Sequence, residues 1–344
     1  MLARCMWALL AAFAACMLIV QDVAAHGVTL DLYHPLSAES AFHRAFLVPW
    51  ARKVAQESGN RINIHLHAES ADPVATKGLY EQAEDGDADL VWAPILTSVE
   101  HFPRLGIVDA PFMVHTAQGG SRAVSEYVRV NDLLDRELAG VRVLAVHVAD
   151  GTQLHCSGSA ATASTEVAGK RIAVASPVDA ALLAALGATP IQVPAARVTS
   201  SLRDGAAEGA LLAWSEAGGI AGNHVEVGPD GAGITSALFV LAMGPASYRS
   251  LRDDLKAVIG ANSGKETAAW IGRVLDEAAA ESRKAALARG ETVRAMTPAE
   301  REEWTQGASK ISEARAAVLT RAGIGVRPLI ESAREQLQTF DASK

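Results

Sequence analysis

His155 and Cys156 stand side by side, and a thiolate beside an imidazole is a nucleophile with its base. Neighbouring residues of a strand point to opposite faces, however, so the two cannot meet, and Cys156 reads as a buried structural thiol. His65 and His67 share one strand face and could chelate a metal, yet no Cys or further His stands at ligand spacing. The chain has no G-x-S-x-G elbow, no glycine-rich phosphate loop ending in Lys-Ser or Lys-Thr, and no H-E-x-x-H. No catalytic residue, metal or cofactor is therefore expected, and the remaining chemistry is that of holding a solute. Trp92 closes Asp-Leu-Val-Trp-Ala-Pro (89–94), and Trp214 with Ser215-Glu216 follows the apolar run 209–213. Both sit at strand carboxyl ends, where open α/β sheets gather ligands. Trp92 serves either the core or a ligand ring; Trp214 is assigned to a ligand wall. Ser176 ends another strand, 171–174, whose last residues carry no charge.

These residues need a scaffold that brings strand ends together. Alternation over 28–33 and 61–67, and apolar runs at 89–94, 141–148, 171–174, 190–193, 209–213 and 236–243, read as strands. Helical patterns fill the intervals: 40–58 (from Ser40 as N-cap), 76–85, 121–138, 178–186 and 195–204. Strands alternating with helices predict mostly parallel sheets with helices on both faces, and the pattern restarts after Asp150-Gly151, giving two α/β lobes. A Gly-rich loop is read over 218–233, and everything beyond Tyr248 reads as helical, with one long helix at 267–289.

The chain has 344 residues, of which 49% are hydrophobic, enough for two lobes. Residues 1–25 form a leader pattern: Arg4, an apolar run from Trp7 to Val20, and the small-residue site Val23-Ala24-Ala25. Export to the periplasm with cleavage after Ala25 is expected. Removing Cys5 and Cys16 leaves Cys156 alone, so no intrachain disulfide is expected. A net charge of −8 without basic runs excludes nucleic acid as a partner.

"HPLSAESAFHRAFLVPWARKVAQESGNRINI" (34–64), "YEQAEDGDADLVW" (80–92), "FPRLGIVDAPFM" (102–113), "VAGKRIAVASPVDAALLAALGATPIQVP" (167–194), "LRDGAAEGALLAWSE" (202–216) and "GETVRAMTPAEREEW" (290–304) follow one another in fixed order. Together they resemble the solute-binding proteins of TRAP (tripartite ATP-independent periplasmic) transporters, over about residues 28–330. The resemblance implies two α/β lobes flanking a ligand cleft, spanned by a long helix. Lobe I would comprise 26–149 plus about 235–265, lobe II 150–234, and the long helix and helical tail 266–344. It also implies a monomeric, non-enzymatic receptor that captures an organic acid and delivers it to TRAP permease subunits in the membrane.

In the family an arginine of a K-I-R-V-P strand makes a bidentate pair with the solute carboxylate, and many members add a second arginine in a G-x-R segment. Here those positions hold Ala173 and Gln153; the aspartate of the D-G pair is Glu208 and the proline before the tryptophan is Ala213. Arg171 shares a face with Ala173 but lies at the strand's start, away from the ligand end. The expected cleft set is His34, His43, Trp92, Gln153, Ala173, Ser176, Trp214, Ser215 and Glu216, with His34 and His43 either touching solute or packing the first helix. That set suits an atypical or uncharged solute. A retired cleft serving as a sensor or scaffold is the alternative; an exported α/β enzyme, needing Cys156-His155 or Glu216, is the third.

Overall fold

The computed structural model describes residues 27–69, 78–95, 101–156, 167–227 and 232–341; the leader lies outside them. Eleven strands form among these residues: β1 (Val28–Tyr33), β2 (Ile62–His67), β3 (Leu90–Pro94), β4 (Arg142–Val148), β5 (Thr152–Cys156), β6 (Arg171–Val174), β7 (Thr189–Gln192), β8 (Gly209–Ala213), β9 (Asn223–Glu226), β10 (Leu238–Met243) and β11 (Thr292–Ala295). The helices are α1 (Val48–Glu57), α2 (Leu79–Asp85), α3 (Ala117–Val130), α4 (Leu133–Arg136), α5 (Pro177–Ala185), α6 (Ala195–Arg203), α7 (Pro245–Ser250), α8 (Asp253–Ala261), α9 (Lys265–Ala288), α10 (Pro298–Arg321) and α11 (Val326–Phe340). A widened π-helical turn, His43–Leu47, leads into α1, where Pro49 lacks the amide that a regular α-helical turn would use.

The strands make two sheets, ordered β2-β1-β3-β10-β4 and β11-β9-β5-β8-β6-β7. Each is mostly parallel with one antiparallel strand inserted: β10 runs against β3 and β4, and β5 against β8 and β9. Alternate residues of β3 serve opposite faces of the first sheet. Val91 and Ala93 join the core under α2, α3 and α11, whereas Leu90 and Trp92 join the core with α1, α8 and α9. All five residues of β8 are buried, as a strand covered on both faces requires. Trp304 of α10 packs on one face of the second sheet, and Val198 of α6 and Ala286 of α9 on the other.

Three stretches depart from the sequence reading. The tail beyond Tyr248 is not all helical: β11 pairs parallel with β9, and its Thr-Val-Arg-Ala pattern is a short strand hidden between two 24-residue helices. The stretch read as a Gly-rich loop holds β9, which only its pairing with β5 and β11 reveals. The helix expected over 121–138 runs instead from Ala117 to Val130, and after Asp132, at φ 53°, the short α4 follows.

Two chain segments cross between the sheets side by side. Ala149 donates its amide to Ala237, Thr152 to Thr235, and Ile234 to Thr152, at 2.8–2.9 Å. At the centre of this hinge Gly151 and Gly233 pack backbone to backbone; a Cβ on Gly151 would stand 2.2 Å from the Cα of Gly233. The long helix α9 supplies the third link. Asp276 accepts the amides of Ala117 and Gln118 at the start of α3, and about two turns later Arg283 grips Glu226 of β9 with two bonds of 2.8 and 2.6 Å. The helix thus spans the two lobes as a spine.

Candidate ligand-binding cleft

A cavity of about 900 Å³ opens between the lobes, within the size range of small-molecule sites. The first lobe contributes the loop after β1 from Pro35 to Phe42, with Trp92 and Phe239; the second contributes Val193 to Arg197, Leu212, Ser215 and Glu216. Leu275 and Ala278 of the spine helix also line it, and Ala149 of the hinge stands at its edge. A movement about the hinge therefore changes the cavity's shape.

Three rings make its apolar wall. Trp92 stacks on Phe239, with centroids 4.4 Å apart and planes at 8°, and Phe42 lies 4.4 Å from Trp92 on another side. Trp92 and Phe239 come from adjacent antiparallel strands, so sheet pairing itself sets the stack. His147 fixes the indole. Trp92 Nε1, which can only donate, gives its proton to His147 Nε2 at 2.8 Å, so the imidazole carries its own proton on Nδ1, facing the Val148 carbonyl at 3.1 Å. Burial pushes the His147 pKa down to about 4, which keeps the ring neutral and the acceptor open.

The polar side is set by Asp150, buried at the hinge. Its carboxyl accepts both the amide and the hydroxyl of Ser215, fixing the turn after β8. Desolvation raises the Asp150 pKa to about 7; the Ser215 bonds oppose that rise, and the nearby Glu216 and Asp276 add to it. Glu216 is exposed where it opens onto the cavity, and desolvation by the nearby protein holds its carboxyl above the ordinary range.

Of the residues expected at the cleft, Trp92, Ser215 and Glu216 line the cavity. The others lie around it. His34 is buried and hydrogen-bonded to His43 at 2.9 Å, with its pKa lowered to about 4 by desolvation and by His43. Gln153 gives its amide to the Ala232 carbonyl and accepts from Val227, bracing the loop ends of the second lobe. Ser176 caps α5 by accepting from Val178 and Asp179. Trp214 is wedged against His155 and His224, with ring centroids 4.9 and 4.8 Å away. Ala173 is fully buried in the same core as Val198, Leu202 and Trp214, beneath α6. Arg171, at its strand's start, is exposed and tied to Glu208 and the Gly205 carbonyl. Cys156 and His155 take opposite faces of β5: the thiol packs with Val167 and Ile172, the imidazole against Trp214.

Phe42, Phe239 and Arg197 line the cavity without having been singled out in the sequence. Phe239 was hidden because its partner strand is 145 positions away in register terms, Phe239 facing Pro94. Arg197 had a local signal, as the lone charge between Pro190 and Leu202.

The sequence profile of bacterial extracellular solute-binding protein family 7 matches residues 32–317, most of the chain. The chain belongs to this family. Its solved relatives share the architecture. A TRAP solute-binding protein from Rhodoferax ferrireducens, in complex with copurified benzoate, is 29% identical, with a TM-score of 0.83 over 91% of this chain and 98% of that one. A marine metagenome TRAP solute-binding protein, in complex with 3-hydroxybenzoate, is 24% identical, with a TM-score of 0.84 over 92% and 100%. One from Bordetella bronchiseptica, with bound mandelate, is 21% identical, with a TM-score of 0.80 over 91% and 100%. No curated protein matches the chain significantly. The two sheets, the hinge and the spine helix are thus those of a two-lobed TRAP solute-binding protein.

Proposed function

We propose that this protein is a periplasmic, non-enzymatic receptor that captures a small ring-bearing organic solute between its lobes and presents it to a TRAP permease in the membrane. The observation that carries the reading is the wall of Phe42, Trp92 and Phe239 in a cavity that spans both lobes and abuts the hinge. Phe239, the one partly exposed ring of the three and backed by the buried Trp92, offers an apolar face to another ring, while Ser215 and Glu216 supply polar contacts. The benzoate-bound relative at 29% identity supports the same class of solute. Removal of residues 1–25 on export completes the reading.

Closure about two adjacent crossing segments buries the solute and alters the surface both lobes show to a partner. The solute selects the closed population because only there do both walls touch it. The retired-cleft alternative gains no support from a cavity of this size with polar groups still turned into it.

A thermal-shift screen of the purified protein against aromatic acids, aliphatic dicarboxylates, polyols, sugars and amino acids tests the proposal. A ligand that binds only the native state must raise the melting temperature. A shift confined to compounds with an aromatic ring is expected; shifts confined to sugars or aliphatic dicarboxylates would contradict it.

A further inference from the structure

The position where the family resemblance implies a carboxylate-gripping arginine is Ala173 here, and it is fully buried beneath α6. Arg171 is engaged with Glu208 and Gly205. Those two facts alone would leave an acidic solute without a partner. Yet a guanidinium does reach the cavity from the helix that covers Ala173. Arg197 lies in the first turn of α6, lines the cavity, and is its only cationic residue among the described lining residues. Its guanidinium has no hydrogen-bond or ion-pair partner among the described residues, whereas the other arginine close to this wall, Arg44, is paired with Glu39 at 2.8 Å.

We propose that Arg197 is the carboxylate anchor of this cleft, so that the solute is an organic acid whose ring lies on the Trp92–Phe239 wall. The inference rests on the cleft being the solute site, as argued above. Chemistry favours the assignment. A guanidinium presents two parallel N–H donors that match two carboxylate oxygens and keeps its charge at any physiological pH. The same turn places the positive end of α6 toward the cavity, with Pro194 at its cap and no side chain capping the helix. Three carboxylates share the lining: Glu39, paired with Arg44 at the surface, Glu69, and Glu216, whose carboxyl desolvation holds above its ordinary range. The anchor has thus moved from a sheet strand to the helix lying over it. Because α6 belongs to the second lobe and the ring wall to the first, one aromatic acid touches both lobes at once.

Isothermal titration of wild-type protein with benzoate, 3-hydroxybenzoate, mandelate and the neutral isostere benzamide sets the reference, followed by Arg197→Met, Arg197→Lys and, as a control, Arg171→Met. Arg197 makes no contacts that the fold needs, and a melting curve of each variant checks this. For the tightest acid, Arg197→Met is expected to weaken binding by about 30-fold or more, as loss of one partner of a desolvated charge pair does. Arg197→Lys should fall between the two, and Arg171→Met should match wild type. Benzamide affinity should hardly change. Undiminished acid binding by Arg197→Met overturns the anchor while leaving the receptor reading intact. Binding of benzamide but of no acid also overturns the anchor and leaves a receptor for neutral rings. Binding of none of the four compounds overturns both.

Discussion

Replacing Asp150 with Asn isolates the electrostatic cost of the hinge. Asp150 is buried, and its pKa rises from 3.8 to about 7, chiefly by desolvation. The folded state therefore holds a proton between pH 4 and 7 that the unfolded chain has released. For a group raised in this way, stability is greatest below the unfolded pKa and declines as pH climbs through the folded one. Between pH 5 and pH 8 the linkage relation gives a loss of about 3 kcal/mol from this one side chain. Asn keeps the geometry, accepting the Ser215 amide and donating to its hydroxyl, but cannot ionise. Urea unfolding of both proteins at pH 5, 6, 7 and 8 should show the variant gaining on wild type as pH rises. Taking the difference removes the opposing contribution of His34, His147 and His155, whose lowered pKa values cost stability as pH falls. A difference that stays flat across this range would refute the argument that Asp150 is desolvated at the hinge.

Other perturbations probe the remaining parts. Gly151→Ala forces a methyl against the Gly233 backbone, 2.2 Å from its Cα, and should lower stability by about 1–3 kcal/mol, read as a fall in melting temperature. Phe239→Ala removes half of the indole stack from the cavity wall and should weaken an aromatic solute by about tenfold in titration, with little change for a small aliphatic one. Arg283→Met leaves the buried Glu226 carboxylate without its two-bond partner; with Arg283 itself partly solvated, the loss should be about 1 kcal/mol in chemical denaturation.

The periodic elements were legible in the sequence because local patterns encode them: the alternation of β1, the apolar β3, β8 and β10, and the Ala, Glu and Leu run of α9 each signal their own kind. Strands defined by their partners were not. β9 and β11 are four residues each, and only mutual pairing distinguishes them from loop and helix flanks. The site divided along the same line. Trp92, Ser215 and Glu216 follow from strand ends, which local pattern marks. Phe239 enters only through β10 pairing with β3, and Trp214 turns into the core because His155 and His224 arrive from β5 and β9. The expectation of an uncharged solute weighed Ala173 and Gln153 as absent cations. It did not weigh a cation arriving from the next helix, since nothing local says that the first turn of α6 faces the first lobe.

A crystal structure of the protein grown with benzoate tests the central claim most directly. The account places the ring between the lobes against Trp92 and Phe239, with both carboxylate oxygens on the Arg197 guanidinium. Benzoate bound outside the interlobe cavity, or inside it with its carboxylate turned away from Arg197, would contradict it.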